Sequence, residues 1–175
     1  MKTYEFTLKF ALSSDDADID DALELLAHCG CDDAIAGIGR KGRVALSFLR
    51  EHDSPEGAVL SGITDVRCAL PHAELIEASP DFVGLTDIGD LLNVSRQNVR
   101  KLVFSSDAPA PQPIHEGRPT IWHLAKVLGW LRREKDYAVD DDLLALAETT
   151  MQVNLAVTQR DADAASQREI LARLA

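Results

Sequence analysis

The most regular alternation of apolar and polar residues lies at the start of the chain. Between residues 3 and 12 every second residue is large and apolar, and Glu5, Thr7 and Lys9 stand between them. The apolar positions are Tyr4, Phe6, Leu8, Phe10 and Leu12. A period of two is typical of a strand with one buried face, so this segment is predicted to be a strand that covers a core.

The following segments predict further elements, each with its own boundary signal. Residues 18–30 show helical spacing and end at Gly30, with the inward positions Ile19, Ala22, Leu23, Leu26 and Ala27. Two apolar runs flank the turn at residues 39–42, which favours a β-hairpin. Ser54 before Pro55 marks the start of a second helix. Residues 73–79 are predicted to form a last, short strand.

The resulting order, β-α-β-β-α-β, is that of ferredoxin-like domains. We therefore expect an α+β fold class, with an N-terminal ferredoxin-like βαββαβ domain over residues 1–79. RNA-recognition modules share this order, but they stack bases on several aromatic residues of the central strands. The corresponding strand here offers only Phe48, so RNA binding is not expected. Oligomerisation, capture of a small ligand or binding of a protein partner are the roles left open for this domain.

After a junction at Pro80, residues 85–103 predict two short helices joined by a tight turn. The predicted inward residues are Ile88, Leu91 and Leu92 in the first helix and Val99 and Leu102 in the second. The turn falls at Asn93-Val94, and Ser95 stands where a helix N-cap belongs. Gly89 is expected to let the two helices approach closely.

The second helix of this pair carries a polar face that suits base edges in a DNA major groove. The candidate DNA-binding positions are Ser95, Arg96, Gln97, Asn98, Arg100 and Lys101. The alternative is a merely solvated face. Contact with DNA is the favoured interpretation for Arg96 and Arg100, whereas both interpretations stay open for Asn98 and Lys101.

A proline-rich segment follows, because residues 105–119 hold four of the seven prolines of the chain. Such a segment does not form a helix, and residues 112–121 predict a short β-wing with Gly117 near its tip. His115 and Arg118 are its candidate DNA contacts, with a simple loop charge as the alternative for Arg118. Helical spacing returns at Leu124, and Trp122 and Trp130 are expected to anchor that helix to the helix pair.

Residues 84–133 resemble the winged helix-turn-helix of AlpA, excisionase and MerR-like regulators. The resemblance rests on VSRQNVRKLV, on PQPIHEGRPTIW, and on HLAKVLGWLR with its Trp130-Leu131 pair. It implies a DNA-binding regulator in which Arg96, Gln97 and Arg100 face bases and Arg118 faces phosphate. One departure from the pattern is that SSDA separates Phe104 from Pro109.

The net charge of −11 is unusual for a DNA-binding protein, but the charge is unevenly distributed. Residues 1–80 contain seven Lys and Arg against fifteen Asp and Glu, whereas residues 93–133 contain seven against two. An acidic body weakens indiscriminate binding to DNA and leaves one basic face able to dock. The uneven charge therefore favours a DNA-binding surface confined to the helix pair and the wing.

The C-terminal region, residues 138–175, is predicted to be a long helix that begins at Asp140 to Asp142, with a possible interruption at residues 161–166. Its apolar face is broad, so it needs a partner surface. Two arrangements bury that face: packing on its own chain, or pairing with the same helix of a second copy. We expect pairing, because helix-turn-helix proteins commonly bind DNA as symmetric dimers.

Other kinds of site have little support in the sequence. His28, Cys29 and Cys31 lack a second pair at metal-ligand spacing, and three cysteines make no disulfide framework. His115 and His123 have no nucleophile or oriented carboxylate beside them, and we interpret them as loop and helix-surface residues. We therefore expect no enzyme, no cofactor and no metal. The start of the chain lacks a secretory signal and no run is apolar enough to span a bilayer, which favours a cytoplasmic protein with no membrane partner.

These observations predict three regions: the domain of residues 1–79, a winged helix-turn-helix over residues 80–137, and a dimerisation helix over residues 138–175. The predicted function is that of a homodimeric transcription regulator that reads double-stranded DNA, and repression is preferred to activation. The alternative is an antitoxin-like or adaptor protein whose acidic N-terminal domain binds a protein partner.

Overall fold

The computed structural model describes residues 1–13, 19–37, 39, 42–104 and 108–174. These residues form an α+β fold with two antiparallel sheets, which confirms the predicted class. We refer below to the N-terminal region (residues 1–79), the central region (80–137) and the C-terminal region (138–175).

The part of the N-terminal region that the structure describes forms four strands and two helices in the predicted order. They are β1 (Lys2–Ala11), α1 (Ile19–His28), β2 (Ala34–Gly37), β3 (Arg43–His52), α2 (Pro55–Ala69) and β4 (Glu74–Ser79). The strand order in the sheet is β2-β3-β1-β4, and every neighbouring pair is antiparallel. The predicted hairpin turn lies partly outside the described residues, since residues 38, 40 and 41 are not described.

The core of this region follows the alternation read from the sequence. Tyr4, Phe6, Leu8 and Phe10 are buried, and the ring of Phe6 stacks on that of Phe48 with centroids 5.0 Å apart. α2 begins at the predicted cap, where Ser54 Oγ accepts a hydrogen bond from the Gly57 N–H. The alternating side chains of β1 and β3 thus face the helices, and the opposite face of the sheet is open.

The predicted inward face of α1 was partly wrong. Ala22 and Leu26 are buried, but Leu23 and Ala27 are exposed. The reason is that α1 packs mainly against α2, so two residues one turn apart are enough to seat it. Ile19 begins the helix, but its side chain lies outside the described residues.

The described residues of the central region form three helices and three very short strands. They are β5 (Phe82–Val83), α3 (Leu85–Leu91), α4 (Arg96–Val103), β6 (His115–Glu116), β7 (Thr120–His123) and α5 (Leu124–Glu134). The strands form a sheet in the order β5-β7-β6. Trp122 and Trp130 are both buried in a core shared by α3, α4 and α5, as expected of anchoring residues. Strand β5 was not predicted.

The described residues of the C-terminal region form two helices, α6 (Asp141–Gln159) and α7 (Ala164–Leu174), and the break between them confirms the interruption predicted near residues 161–166. Asp140 caps α6, its Oδ1 accepting a hydrogen bond from the Leu143 N–H. α6 packs on α2, β4 and α5 of its own chain. Its neighbouring residues Leu146 and Ala147 belong to the core of the N-terminal and of the central region, respectively. The inward face of α6 is therefore buried within its own chain. The sequence had instead favoured burial of this face by pairing with the same helix of a second copy.

A buried polar network joins the three regions. Asn154 of α6 donates a hydrogen bond to the carbonyl of Ala78 at 2.8 Å and accepts one from the N–H of Ala78, also at 2.8 Å. The Asn154 amide also donates to Oδ2 of Asp81. The other carboxylate oxygen of Asp81, Oδ1, lies 2.8 Å from His123 Nδ1. Thr150 Oγ1 donates to the carbonyl of Pro80 at 2.6 Å. The network holds the junction between the sheet of the N-terminal region and the central region against α6.

Among the residues that the structure describes, none of the helices combines the length and the apolar character needed to cross a membrane.

Candidate nucleic-acid interface

The pair α3–α4 forms at the predicted place, but the prediction that Leu91 faces inward was wrong, since its side chain is exposed. Ile88 and Leu92, one turn apart, occupy the inward side of α3, and Leu91 lies off that side at the end of the helix.

α3 begins after Gly84, whose N–H donates to Asp87 Oδ2 at 2.7 Å. A Cβ placed on Gly89 would lie 2.8 Å from the carbonyl oxygen of Val94, a backbone atom that cannot move independently of the turn. Glycine is therefore required where the two helices meet.

The turn between the helices has a left-handed residue at its centre. Asn93 has φ +54°, a conformation that asparagine tolerates better than most residues. The Val94 N–H then donates to the carbonyl of Gly89 at 2.9 Å. Ser95 Oγ accepts from the Asn98 N–H at 3.2 Å, so the predicted N-cap of α4 is confirmed.

The orientation of α4 follows from its buried residues, Val99 and Val103. At 3.6 residues per turn, Gln97 and Lys101 lie on the opposite, outward face. Arg96 and Arg100 lie on the flank between these two faces, one turn apart. All four of these polar side chains are exposed.

The β6–β7 hairpin lies beside this flank of α4. Its turn contains Gly117 and Arg118, and the Thr120 hydroxyl closes it by donating to the carbonyl of Gly117 at 3.1 Å. The His115 ring lies over Gly117, where an added Cβ would come within 2.1 Å of Nε2. Trp122 Nε1 donates to the carbonyl of Pro111 at 3.0 Å, which fixes the proline-rich segment to the hairpin.

A cleft of about 530 Å³ separates α4 from the hairpin, and we call it the basic cleft. Three arginines line it: Arg96 and Arg100 from α4 and Arg118 from the hairpin turn. The other lining residues are Leu85, Phe104, Gly117, Pro119 and Thr120. Of the described residues that line the cleft, none is acidic.

This arrangement is suited to binding an anion. Among the described residues none of the three guanidinium groups is in an ion pair, so their charges are available to a ligand. Guanidinium groups recognise phosphate and guanine edges through paired N–H donors. The guanidinium carbon of Arg100 lies 5.8 Å from the centroid of the Phe104 ring, a cation–π contact that orients this side chain.

The structure thus brings three of the candidate residues together and spreads the others around them. Arg96, Arg100 and Arg118 share the basic cleft. Gln97, Asn98 and Lys101 continue the exposed surface of α4, Ser95 is engaged as its cap, and His115 lies on the hairpin. Every candidate position therefore lies on α4, at its cap or on the hairpin, and three of them are shown to share one cleft.

Sequence reasoning missed Phe104 as a member of the cleft. Its side chain is 64% exposed, which is unusual for a phenylalanine in a small protein. The available signal was the spacing of Arg100 and Phe104, since residues four apart on a helix are neighbours.

The interpretation of His123 as a helix-surface residue was wrong. Its side chain is buried and contacts Asp81, because strand β7 turns it inward beside the short strand β5. The burial of His123 depends on a contact with a residue 42 positions away, which no local sequence pattern reveals.

Within the described part of the chain, no group of three or more His, Cys, Asp and Glu side chains is placed to hold a metal ion. The chain matches no protein-family model, and the comparisons with curated proteins and with solved structures gave no match either.

Proposed function

We propose that this protein is a sequence-specific DNA-binding regulator of transcription. In this proposal the central region is a winged helix-turn-helix, with α4 as the recognition helix and the β6–β7 hairpin as the wing. The N-terminal region is a ferredoxin-like domain, which is supported by its strand order β2-β3-β1-β4. The observation that carries the proposal is the convergence of Arg96, Arg100 and Arg118 on one cleft in an otherwise acidic chain.

We assign base contacts and phosphate contacts to these residues from the positions of their side chains. Gln97 and Lys101 are on the outward face of α4, the face that enters a major groove, and Arg100 lies beside them. We infer that Arg118, which lines the cleft from the hairpin turn, contacts the phosphate backbone that borders the groove. The surrounding negative charge of the N-terminal region directs the DNA to this surface by repelling it elsewhere.

Repression by a homodimer that occupies an operator is the mode of action we propose. The inward face of α6 is already buried in its own chain, so a dimer would use other surfaces than that face. A palindromic site with half-sites one helical turn apart would be the expected DNA signature. Light scattering on the free protein measures whether it is a dimer.

The test is an unbiased selection of bound DNA sequences, followed by titrations of the selected site at several salt concentrations. Arg100→Ala is expected to lower affinity by about 1–3 kcal/mol and to relax the preference at one base position. Arg118→Ala is expected to lower affinity for all sequences and to reduce the salt dependence by about one phosphate contact. Arg67→Ala is the matched control, since it removes an exposed arginine from α2 in the N-terminal region.

Failure of the wild-type protein to select any sequence, or equal losses of DNA affinity in the control and the cleft variants, would refute the proposal.

A second candidate function, binding of a protein partner, is favoured by Ile35 and Leu49, which are 78% and 63% exposed on the open face of the sheet. A partner that co-purifies equally well with Arg96→Ala and Arg100→Ala, but not with Leu49→Glu, would support it.

A further inference from the structure

Two cysteines that are 39 positions apart in the sequence meet at the helix layer of the N-terminal region. Cys29 follows the last residue of α1, and Cys68 lies in the last turn of α2. Their Sγ atoms are 2.9 Å apart. A disulfide requires about 2.05 Å between the sulfurs, so a movement of less than about 1 Å would bring the pair to bonding distance.

The two chain segments that carry these thiols are connected by one buried arginine, Arg50. Arg50 Nη2 donates to the carbonyl of Gly30, the residue next to Cys29, at 2.7 Å. Its Nη1 donates to Asp65 Oδ2 at 2.6 Å, and Asp65 precedes Cys68 by three positions, so both lie on the same side of α2. The same guanidinium therefore fixes the turn after α1 and the last turn of α2 relative to each other.

We propose that Cys29 and Cys68 are a redox-active pair that forms an intramolecular disulfide when the protein meets a low-molecular-weight disulfide such as oxidised glutathione. This modification is independent of the DNA-binding proposal. It concerns the N-terminal region alone, and Cys31 takes no part in it because its side chain is buried.

The chemistry balances in two exchange steps. Cys68 is exposed, so its thiolate attacks the reagent first, forms a mixed disulfide and releases one thiolate of the reagent. The Sγ of Cys29 then attacks the Sγ of Cys68 and releases the second. The protein loses two protons and two electrons, and the reagent is reduced to two thiols.

The surroundings of the three thiols set their order of reaction. The hydrogen bond with Cys68, together with burial, raises the pKa of Cys29, which lowers its thiolate fraction and suits it to the second step. Burial raises the pKa of Cys31 to about 11, so this thiol is unreactive in the folded protein.

The experiment exposes the reduced, full-length protein to excess oxidised glutathione, then unfolds it and alkylates every free thiol. We expect one alkylated cysteine in place of three, a peptide that links Cys29 to Cys68, and full reversal by dithiothreitol. We also expect a higher Tm for the oxidised protein, because a cross-link across a loop of this length restricts the unfolded chain.

Cys31→Ser is the matched control and should form the same cross-link. Cys68→Ser should retain two free thiols and form none. Three alkylated cysteines after prolonged oxidation, a stable mixed disulfide on Cys68, or a disulfide-linked dimer would each overturn the proposal. Because peptide mapping of the wild-type protein distinguishes these outcomes, the test does not depend on the variants folding.

Discussion

The N-terminal and central regions of this protein stabilise themselves in different ways. In the N-terminal region two strands of ten residues, β1 and β3, pair along their full length, and alternate side chains supply the core. In the central region the strands have two to four residues, and helices α4 and α5 supply most of the core. The first region is a sheet with helices on one face, whereas the second is a helical core with a small sheet at its side.

This difference suggests a division of roles. A long, fully paired sheet is a rigid base, while the small sheet and short helices of the central region display the basic cleft at their surface. The two regions are nevertheless connected, because α6 contributes Leu146 to one core and Ala147 to the other. Whether the two regions unfold separately or together therefore depends on how strongly α6 couples them.

The largest expected effect comes from Phe6→Ala, which removes a fully buried ring stacked on Phe48. We expect a loss of about 3–5 kcal/mol in the free energy of unfolding, because the substitution leaves a cavity in a rigid core. Both tryptophans, Trp122 and Trp130, belong to the central core, so their fluorescence reports on that region while circular dichroism reports on both.

If α6 couples the two regions, the fluorescence and dichroism transitions of Phe6→Ala should shift together to lower denaturant concentration. A dichroism transition that moves while the fluorescence transition stays at the wild-type position would show that the regions unfold independently.

A smaller effect is expected from Asn154→Leu, at the junction between the regions. The substitution keeps the branched shape of the side chain but leaves the N–H and carbonyl of Ala78 and one oxygen of Asp81 without their partner. Buried groups that lose a hydrogen bond cost about 1–3 kcal/mol, so we expect a loss of about 2 kcal/mol.

The control for this junction is Gln152→Leu, the same kind of change at an exposed position of α6, which should shift stability by less than about 0.5 kcal/mol. Equal denaturation midpoints for Asn154→Leu and the wild-type protein would contradict the view that the network holds the regions together.

The fold of the N-terminal region could be predicted from the sequence more fully than that of the central region, because long elements show a readable period and very short ones do not. β1 and β3 are long enough for a period of two to be read directly, and the caps of α2 and α4 are local signals carried by Ser54 and Ser95. Strand β5 has two residues, too few to show a period, and it exists only because β7 pairs with it.

The candidate site shows the same contrast. The polar face of α4 is a local pattern and was predicted, whereas the contribution of Phe104 to the cleft depends on the neighbouring hairpin. The approach of Cys29 to Cys68 and the burial of His123 depend on contacts between distant parts of the chain. No local pattern encodes such contacts, so the sequence alone predicts neither the cysteine pair nor the burial of His123.

The smallest expected change in stability concerns the two serine caps, Ser54 of α2 and Ser95 of α4. Each serine hydroxyl accepts a hydrogen bond from the N–H three residues later, one in each region. Replacing either one with alanine should cost about 1 kcal/mol of stability. Aspartate is as good a cap as serine, so Ser95→Asp should preserve stability, yet its negative charge at the start of α4 should repel DNA phosphates. We therefore expect Ser95→Asp to weaken DNA binding in a salt-dependent manner and Ser54→Asp to leave it unchanged. Equal affinities for these two stable variants would mean that the start of α4 does not face DNA.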